Sequence, residues 1–225
     1  MNCKRILVAL IALSTLTSLF ALTPTRGVRE EQLFNFGWKF KWGEVTNGQK
    51  VNLDDSNWRN LDLPHDFQFE QPWDKTAVGG RGFKQMGTGW YRKSFKADAT
   101  WKGKKILLDF EGIMLLGEVW LNGKKVGETD YGYLGFDSDI SQLLRYDSLN
   151  IVAVRATTGN KGSSRWYTGG GLFRDVHLVV KDPVSIIVMN FLISTKEKYS
   201  MCLLWQFYEL DRLLAMFTLK YRYLA

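Results

Sequence analysis

The stretch Ser164-Arg165-Trp166-Tyr167-Thr168-Gly169-Gly170-Gly171 holds the residue types best suited to gripping a ligand. Two large aromatics and a forked cation stand directly before three consecutive glycines. Flat aromatic faces suit the apolar C–H faces of a sugar, and a guanidinium suits its ring of hydroxyls. Glycine reaches positive φ at little steric cost and lets another group approach the backbone closely. The triplet therefore predicts a sharp bend or close packing between Trp166 and the strand that starts near Val176. A buried tryptophan beside a structural glycine turn is the competing reading, and the residue types alone leave both open.

A second candidate is the long segment from Asp66 to Thr88, where Phe67, Phe69, Trp73 and Phe83 sit among Gly79-Gly80-Arg81-Gly82. A loop of this length without periodicity is functional or disordered, and its aromatic content argues against plain disorder. Its acids, Asp66, Glu70 and Asp74, would either hydrogen-bond sugar hydroxyls or stand as solvated loop carboxylates. Two carboxylate pairs, Asp54-Asp55 and Asp137-Ser138-Asp139, lie in turn contexts where aspartate caps or bends the chain, so no catalytic residue is assigned to them. His65 and His177 are the only histidines; His65 is expected to fix the turn after Pro64, and no ligand set for a metal is visible. Arg174 and Asp175 are expected to pair with neighbours inside the sheet packing. With Cys3 and Cys202 as the only cysteines, neither a disulfide framework nor a cysteine zinc site is expected, and nothing in the chain implies a cofactor.

The elements that must position these residues read as β-structure from about Val28 to Pro183. Gly89–Phe95, Lys105–Phe110, Asn150–Ala156 and Val176–Val180 carry strand-like apolar patterning. In Glu118-Val119-Trp120-Leu121-Asn122-Gly123-Lys124-Lys125-Val126-Gly127 the Asn-Gly pair predicts a two-residue turn, because both of its positions need positive φ. Leu61-Asp62-Leu63-Pro64 reads as a short edge strand stopped by proline. Many short strands between Gly, Asn and Asp turns predict an all-β, two-sheet sandwich or jelly roll.

The chain of 225 residues is 45% hydrophobic and 24% charged, ordinary for a globular domain with extensions. Lys4 and Arg5 precede an uncharged run from Ile6 to Leu22, so residues 1–22 are expected to be a signal peptide, and the protein to be exported to the periplasm or beyond. The run is long enough that an uncleaved anchor is the alternative. Loss of Lys4 and Arg5 takes the formal charge from +7 to +5, and the remaining basic residues are scattered among acids, which does not support nucleic-acid binding. Residues 184–225 contain no Gly and no Pro, whereas all 21 glycines precede them. This tail is too charged for a membrane helix and too apolar for a free surface helix, which leaves helix or unstructured chain open. We expect it to be a truncation or out-of-frame product.

Several pieces occur in order: Phe36-Gly37-Trp38-Lys39-Phe40, Asp54-Asp55-Ser56-Asn57-Trp58, Leu61-Asp62-Leu63-Pro64-His65-Asp66, Gly89-Trp90-Tyr91-Arg92-Lys93, Glu118-Val119-Trp120-Leu121-Asn122-Gly123, Gly132-Tyr133-Leu134-Gly135-Phe136 and Asn150–Arg155. With the Trp166 segment they resemble the N-terminal sugar-binding domain of family 2 glycoside hydrolases over residues 30 to 183, most closely the exported bacterial β-galactosidases. The resemblance implies a galactose-binding-like jelly roll over 28–183 that precedes an immunoglobulin-like domain and a (β/α)8 barrel. Retaining glycosidases need two carboxylates about 5 Å apart, and in this family both are glutamates on the barrel. The resemblance therefore implies a fragment that is inactive by itself. It also implies that loops of this domain complete the pocket for a β-galactoside-type glycan, through Arg165, Trp166 and Tyr167 and through Asp66 to Trp73. Some members place an acid just before the loop aromatic, where this chain has Ser164 and Arg165. Two other readings remain open at this point: a stand-alone carbohydrate-binding module using Trp73, Trp166 and Tyr167, and a membrane-tethered interaction domain using an uncleaved signal segment.

Overall fold

The computed structural model describes residues 29–159 and 166–183, and the backbone of three short strands beyond them. The proposed signal segment 1–22 and Arg165 lie outside the described residues. In chain order the strands of the domain are β1 (Glu30–Leu33), β2 (Trp38–Trp42), β3 (Arg59–Leu61), β4 (Thr88–Lys96), β5 (Lys105–Phe110), β6 (Leu116–Leu121), β7 (Lys124–Thr129), β8 (Phe136–Asp139), β9 (Leu149–Thr157) and β10 (Val176–Lys181). They form two antiparallel sheets, one of order β1-β10-β5-β8 and one of order β3-β2-β4-β9-β6-β7. This is the all-β sandwich that the strand pattern predicts.

Alternation of side chains across each strand builds the core. Val152, Val154 and Ala156 of β9 and Val119 and Leu121 of β6 face inward. They meet Ile106, Leu108 and Phe110 of β5 and Val176, Leu178 and Val180 of β10 from the opposite sheet. The Asn-Gly turn joins β6 to β7, with φ of 51° at Asn122 and 82° at Gly123. The Asn122 side chain donates to the Leu143 carbonyl and to Oδ1 of Asn150, and accepts from the Ile151 N–H. A residue chosen for turn geometry thus also satisfies buried polar groups.

The outer face of the six-stranded sheet is covered by the segment between β2 and β3. Trp58 packs with Trp90 and Ala153, flanked by Val45, Leu53 and Trp120. Arg92, 1% exposed, fixes that cover by donating to Oδ2 of Asp55 at 2.8 Å and to the carbonyls of Gly48 and Lys50.

Beyond Pro183, β11 (Leu192–Glu197), β12 (Ser200–Leu204) and β13 (Leu219–Arg222) pair in a separate antiparallel sheet, in place of the helix or unstructured chain that the sequence left open. Ile193 and Thr195 in β11 and Tyr221 in β13 are residue types that fit a pleated backbone. Among the described residues no helix is long and apolar enough to cross a membrane.

Candidate functional site

The glycine triplet runs beside the segment 65–67. The His65 N–H donates to the Leu172 carbonyl at 2.7 Å and the Phe67 N–H to the Gly170 carbonyl at 2.9 Å, while Gly171 exchanges bonds with Met114 on its other side. Each glycine is required by what lies against it. A Cβ at Gly169 would stand 2.7 Å from the Asp66 carboxylate, and one at Gly170 would stand 2.8 Å from the Phe67 ring and 2.9 Å from Thr158. At Gly171, where φ is 111°, it would run into the Tyr91 hydroxyl and the His65 carbonyl. The bend and the close packing expected from the triplet are thus both present, and the triplet delivers Trp166 and Tyr167 to the surface.

Asp66 staples this loop to its own. Its Oδ1 accepts from the N–H groups of Gln68, Phe69 and Gly170 at 2.9, 3.1 and 2.9 Å, and its Oδ2 accepts from the Tyr167 hydroxyl at 2.7 Å. Burial, and then the bond to Asp66, push the Tyr167 phenol upward, so it remains a proton donor. The Tyr167 ring also comes within 3.9 Å of the Cβ position of Gly82, which joins the 66–87 and 166–171 loops into one surface. On it Trp166 is 66% exposed and Tyr167 39%.

Trp73 is held from one side only. It bridges Lys84 across a small antiparallel pair, and the Asp74 N–H donates to the Phe83 carbonyl at 2.9 Å. The Lys84 ammonium lies 4.5 Å from the Trp73 ring centre and 5.7 Å from that of Phe69, and donates to the Gln71 carbonyl. Trp73 is nevertheless 74% exposed, an aromatic ring largely open to solvent.

The other loop acids, Asp74 and Glu70, also have partners within the domain. Asp74 accepts from the Thr76 backbone and hydroxyl and from Gln85. Glu70 accepts from Arg59 at 2.6 Å and lies 3.2 Å from His65 Nε2; burial raises its carboxyl, but these two partners outweigh that and hold it below the usual range. The tempting pairs are structural as well: Asp54 caps the Ser56 N–H, Asp55 takes Lys39 and Arg92, and Asp139 takes Ser141. Asp175 receives the Asn35 amide as expected of a packed residue, whereas Arg174 is exposed, with its guanidinium carbon 5.2 Å from the centre of the Phe173 ring.

Two groupings were not visible in the sequence because their members are far apart in the chain. His65 places Nδ1 at 2.8 Å from the Tyr91 hydroxyl and Nε2 at 2.8 Å from Arg59. It does more than fix a turn. His177 meets Glu111 and Asp175 with ligand-type atoms all within 4.8 Å, yet Asp175 is taken by Asn35 and His177 also pairs with Glu31.

Comparison with known proteins gives a consistent result. Residues 80–183 match the family described as glycosyl hydrolases family 2, sugar binding domain. A β-galactosidase of Bacteroides ovatus is 36% identical over 160 residues, covering 70% of this chain and 19% of the relative. A protein described as a β-glucuronidase of Formosa agariphila is 36% identical over 173 residues, covering 76% and 17%. Among solved structures, a β-glycosidase from Bacteroides vulgatus superposes with a TM-score of 0.70 at 34% identity, covering 80% of this chain and 24% of that one. The chain therefore spans about a fifth of the length of the curated relatives it matches.

Proposed function

Since the domain belongs to the sugar-binding domains of the family 2 glycosyl hydrolases, we propose that it forms the non-reacting wall of a glycosidase pocket and takes a β-galactoside-type glycan. The observation that carries this reading is the presentation of Trp73 and Tyr167 on loops locked by Lys84 and Asp66. A sugar presents C–H faces that stack on such plates, and a plate already fixed loses little freedom on binding. Trp166 and Arg165 belong to the same wall by sequence. Asp66 serves it by holding Tyr167, since its carboxylate already accepts four hydrogen bonds. The full-length partners in this reading are an immunoglobulin-like domain and a (β/α)8 barrel that supplies both carboxylates. The charged start and apolar run of residues 1–22 support export as the location.

Calorimetric titration of the purified chain with galactosides, run beside a chromogenic galactoside assay, tests the reading. Saturable binding without turnover is the expected pair of results. Turnover by this chain would contradict the division of labour between wall and barrel. The uronide named for several relatives is the second sugar to titrate.

A further inference from the structure

At one end of the four-stranded sheet an imidazole meets two carboxylates that the stacking role does not use. Glu111 follows the last residue of β5, Asp175 precedes the first residue of β10, and His177 is the second residue of β10. The Glu111 N–H donates to the Asp175 carbonyl at 3.1 Å, which carries the β5–β10 ladder one step beyond the pair Val176 and Phe110. Those two side chains point into the core, so alternation turns Asp175, His177 and Glu111 outward on one face. One ligand-type atom from each lies within 4.8 Å of the other two, and Nε2 of His177 is already 3.2 Å from Oε1 of Glu111.

Two of these side chains are held from behind. Asn35, 4% exposed, donates its amide to Oδ1 of Asp175 at 2.8 Å and accepts the Val176 N–H at 2.9 Å, which fixes the carboxylate and leaves Oδ2 for another partner. Nδ1 of His177 faces Oε1 of Glu31, on β1, at 3.5 Å, and Arg29 holds the other Glu31 oxygen at 3.0 Å. These contacts do not use up the cluster. A carboxylate at the far nitrogen is what sets the tautomer and direction of a metal-bound histidine. With its proton on Nδ1, the ring presents the Nε2 lone pair to the side on which Glu111 stands. A tetrahedral ion with bonds of about 2.0–2.2 Å spaces its ligand atoms about 3.4 Å apart, so modest rotations of Glu111 and Asp175 close the set. An imidazole among the ligands favours ions of the zinc class over magnesium and calcium, which take oxygen.

We propose that Glu111, Asp175 and His177 form a binding site for a divalent transition-metal ion of the zinc class, with Glu31 and Asn35 orienting two of its ligands. The ion displaces the proton that His177 otherwise shares with Glu111. It clips β5 to β10 and, through Glu31, to β1, and three protein ligands leave a coordination position for water. Sequence hid this set because Glu111 and Asp175 lie on strands far apart in the chain. The site does not depend on the wall reading above.

Calorimetric titration of zinc chloride into the metal-free full chain reads this directly. Saturable uptake of one ion per chain is expected, and an equal concentration of magnesium should not displace it. Glu111→Gln and His177→Gln each remove a ligand and should abolish the uptake. Glu31→Gln keeps all three ligands and should weaken it about tenfold or more, an effect that a bystander carboxylate would not have. Thermal unfolding of the unmodified chain should move upward with zinc, and that of Glu111→Gln should not. No uptake by the folded chain, undiminished uptake in Glu111→Gln or Glu31→Gln, or displacement by magnesium overturns the proposal and leaves His177 and Glu111 as an ion pair only. Should His177→Gln fail to fold, Glu111→Gln decides, because Glu111 is exposed.

Discussion

The Tyr167 hydroxyl donates to Oδ2 of Asp66 at 2.7 Å across 101 residues of sequence. The same carboxylate gathers three backbone N–H groups, one of them from the glycine triplet. One residue therefore fixes both loops of the wall. In Asp66→Ala those donors lose their partner, and partly buried donors without one cost about 1–3 kcal/mol. Denaturant unfolding should show a loss of that size, and galactoside titration a loss of affinity. Tyr167→Phe keeps the ring and removes one bond, so it should cost about 0.5–1.5 kcal/mol at most and weaken binding less.

Gly171→Ala is expected to be among the most damaging single-methyl changes in the domain. The new Cβ meets the Tyr91 hydroxyl, and φ of 111° is a region that other residues rarely occupy. Backbone strain alone contributes about 1–3 kcal/mol, with the clash added to it. A urea midpoint close to that of the unmodified chain would show that the loop relaxes freely.

Arg92 predicts a pH dependence as well as a stability loss. Burial raises the Asp55 carboxyl, but the bonds from Lys39 and Arg92 outweigh it, leaving the folded-state pKa below the usual value. A lowered carboxylate pKa contributes stability above the unfolded value near 3.9, and that contribution fades as pH falls below about 4. Arg92→Met leaves Asp55 with Lys39 as its one cation and leaves the Gly48 and Lys50 carbonyls without their donor, with an expected cost of about 1–3 kcal/mol at neutral pH. Unfolding curves between pH 3 and 7 should then be flatter for the variant than for the unmodified chain.

The strands, the Asn-Gly turn and the need for the glycine triplet were legible in the sequence because each is a local demand: alternation across a pleat, positive φ at two adjacent positions, or a backbone approached too closely for a Cβ. β3 came two residues earlier than expected, at Arg59–Leu61, because Leu63 turns away to donate to the Asn35 carbonyl. What sequence did not disclose is which distant groups meet. Asp66 looked like a sugar ligand because nothing local says that Tyr167 and Gly170 will claim it. His65 looked like a turn residue because Tyr91 is 26 positions away, and Asp55 looked like half of a carboxylate pair because its cation sits 37 positions on. In the tail, apolar residues without clean alternation carried no register, so its strand pairing was not readable.

Trp73→Ala separates binding from folding. The side chain is largely in water, so its removal should change stability by no more than about 0.5 kcal/mol. Thermal unfolding that matches the unmodified chain, together with weaker galactoside binding, is the expected pattern.

The most direct test of the sugar-wall account is calorimetric titration of a β-galactoside into the unmodified chain and into Trp73→Ala and Tyr167→Phe. The account predicts saturable binding that is lost or sharply weakened in Trp73→Ala and reduced in Tyr167→Phe, with all three chains folded. Binding of the same strength in all three, or no binding to the folded unmodified chain, would contradict it.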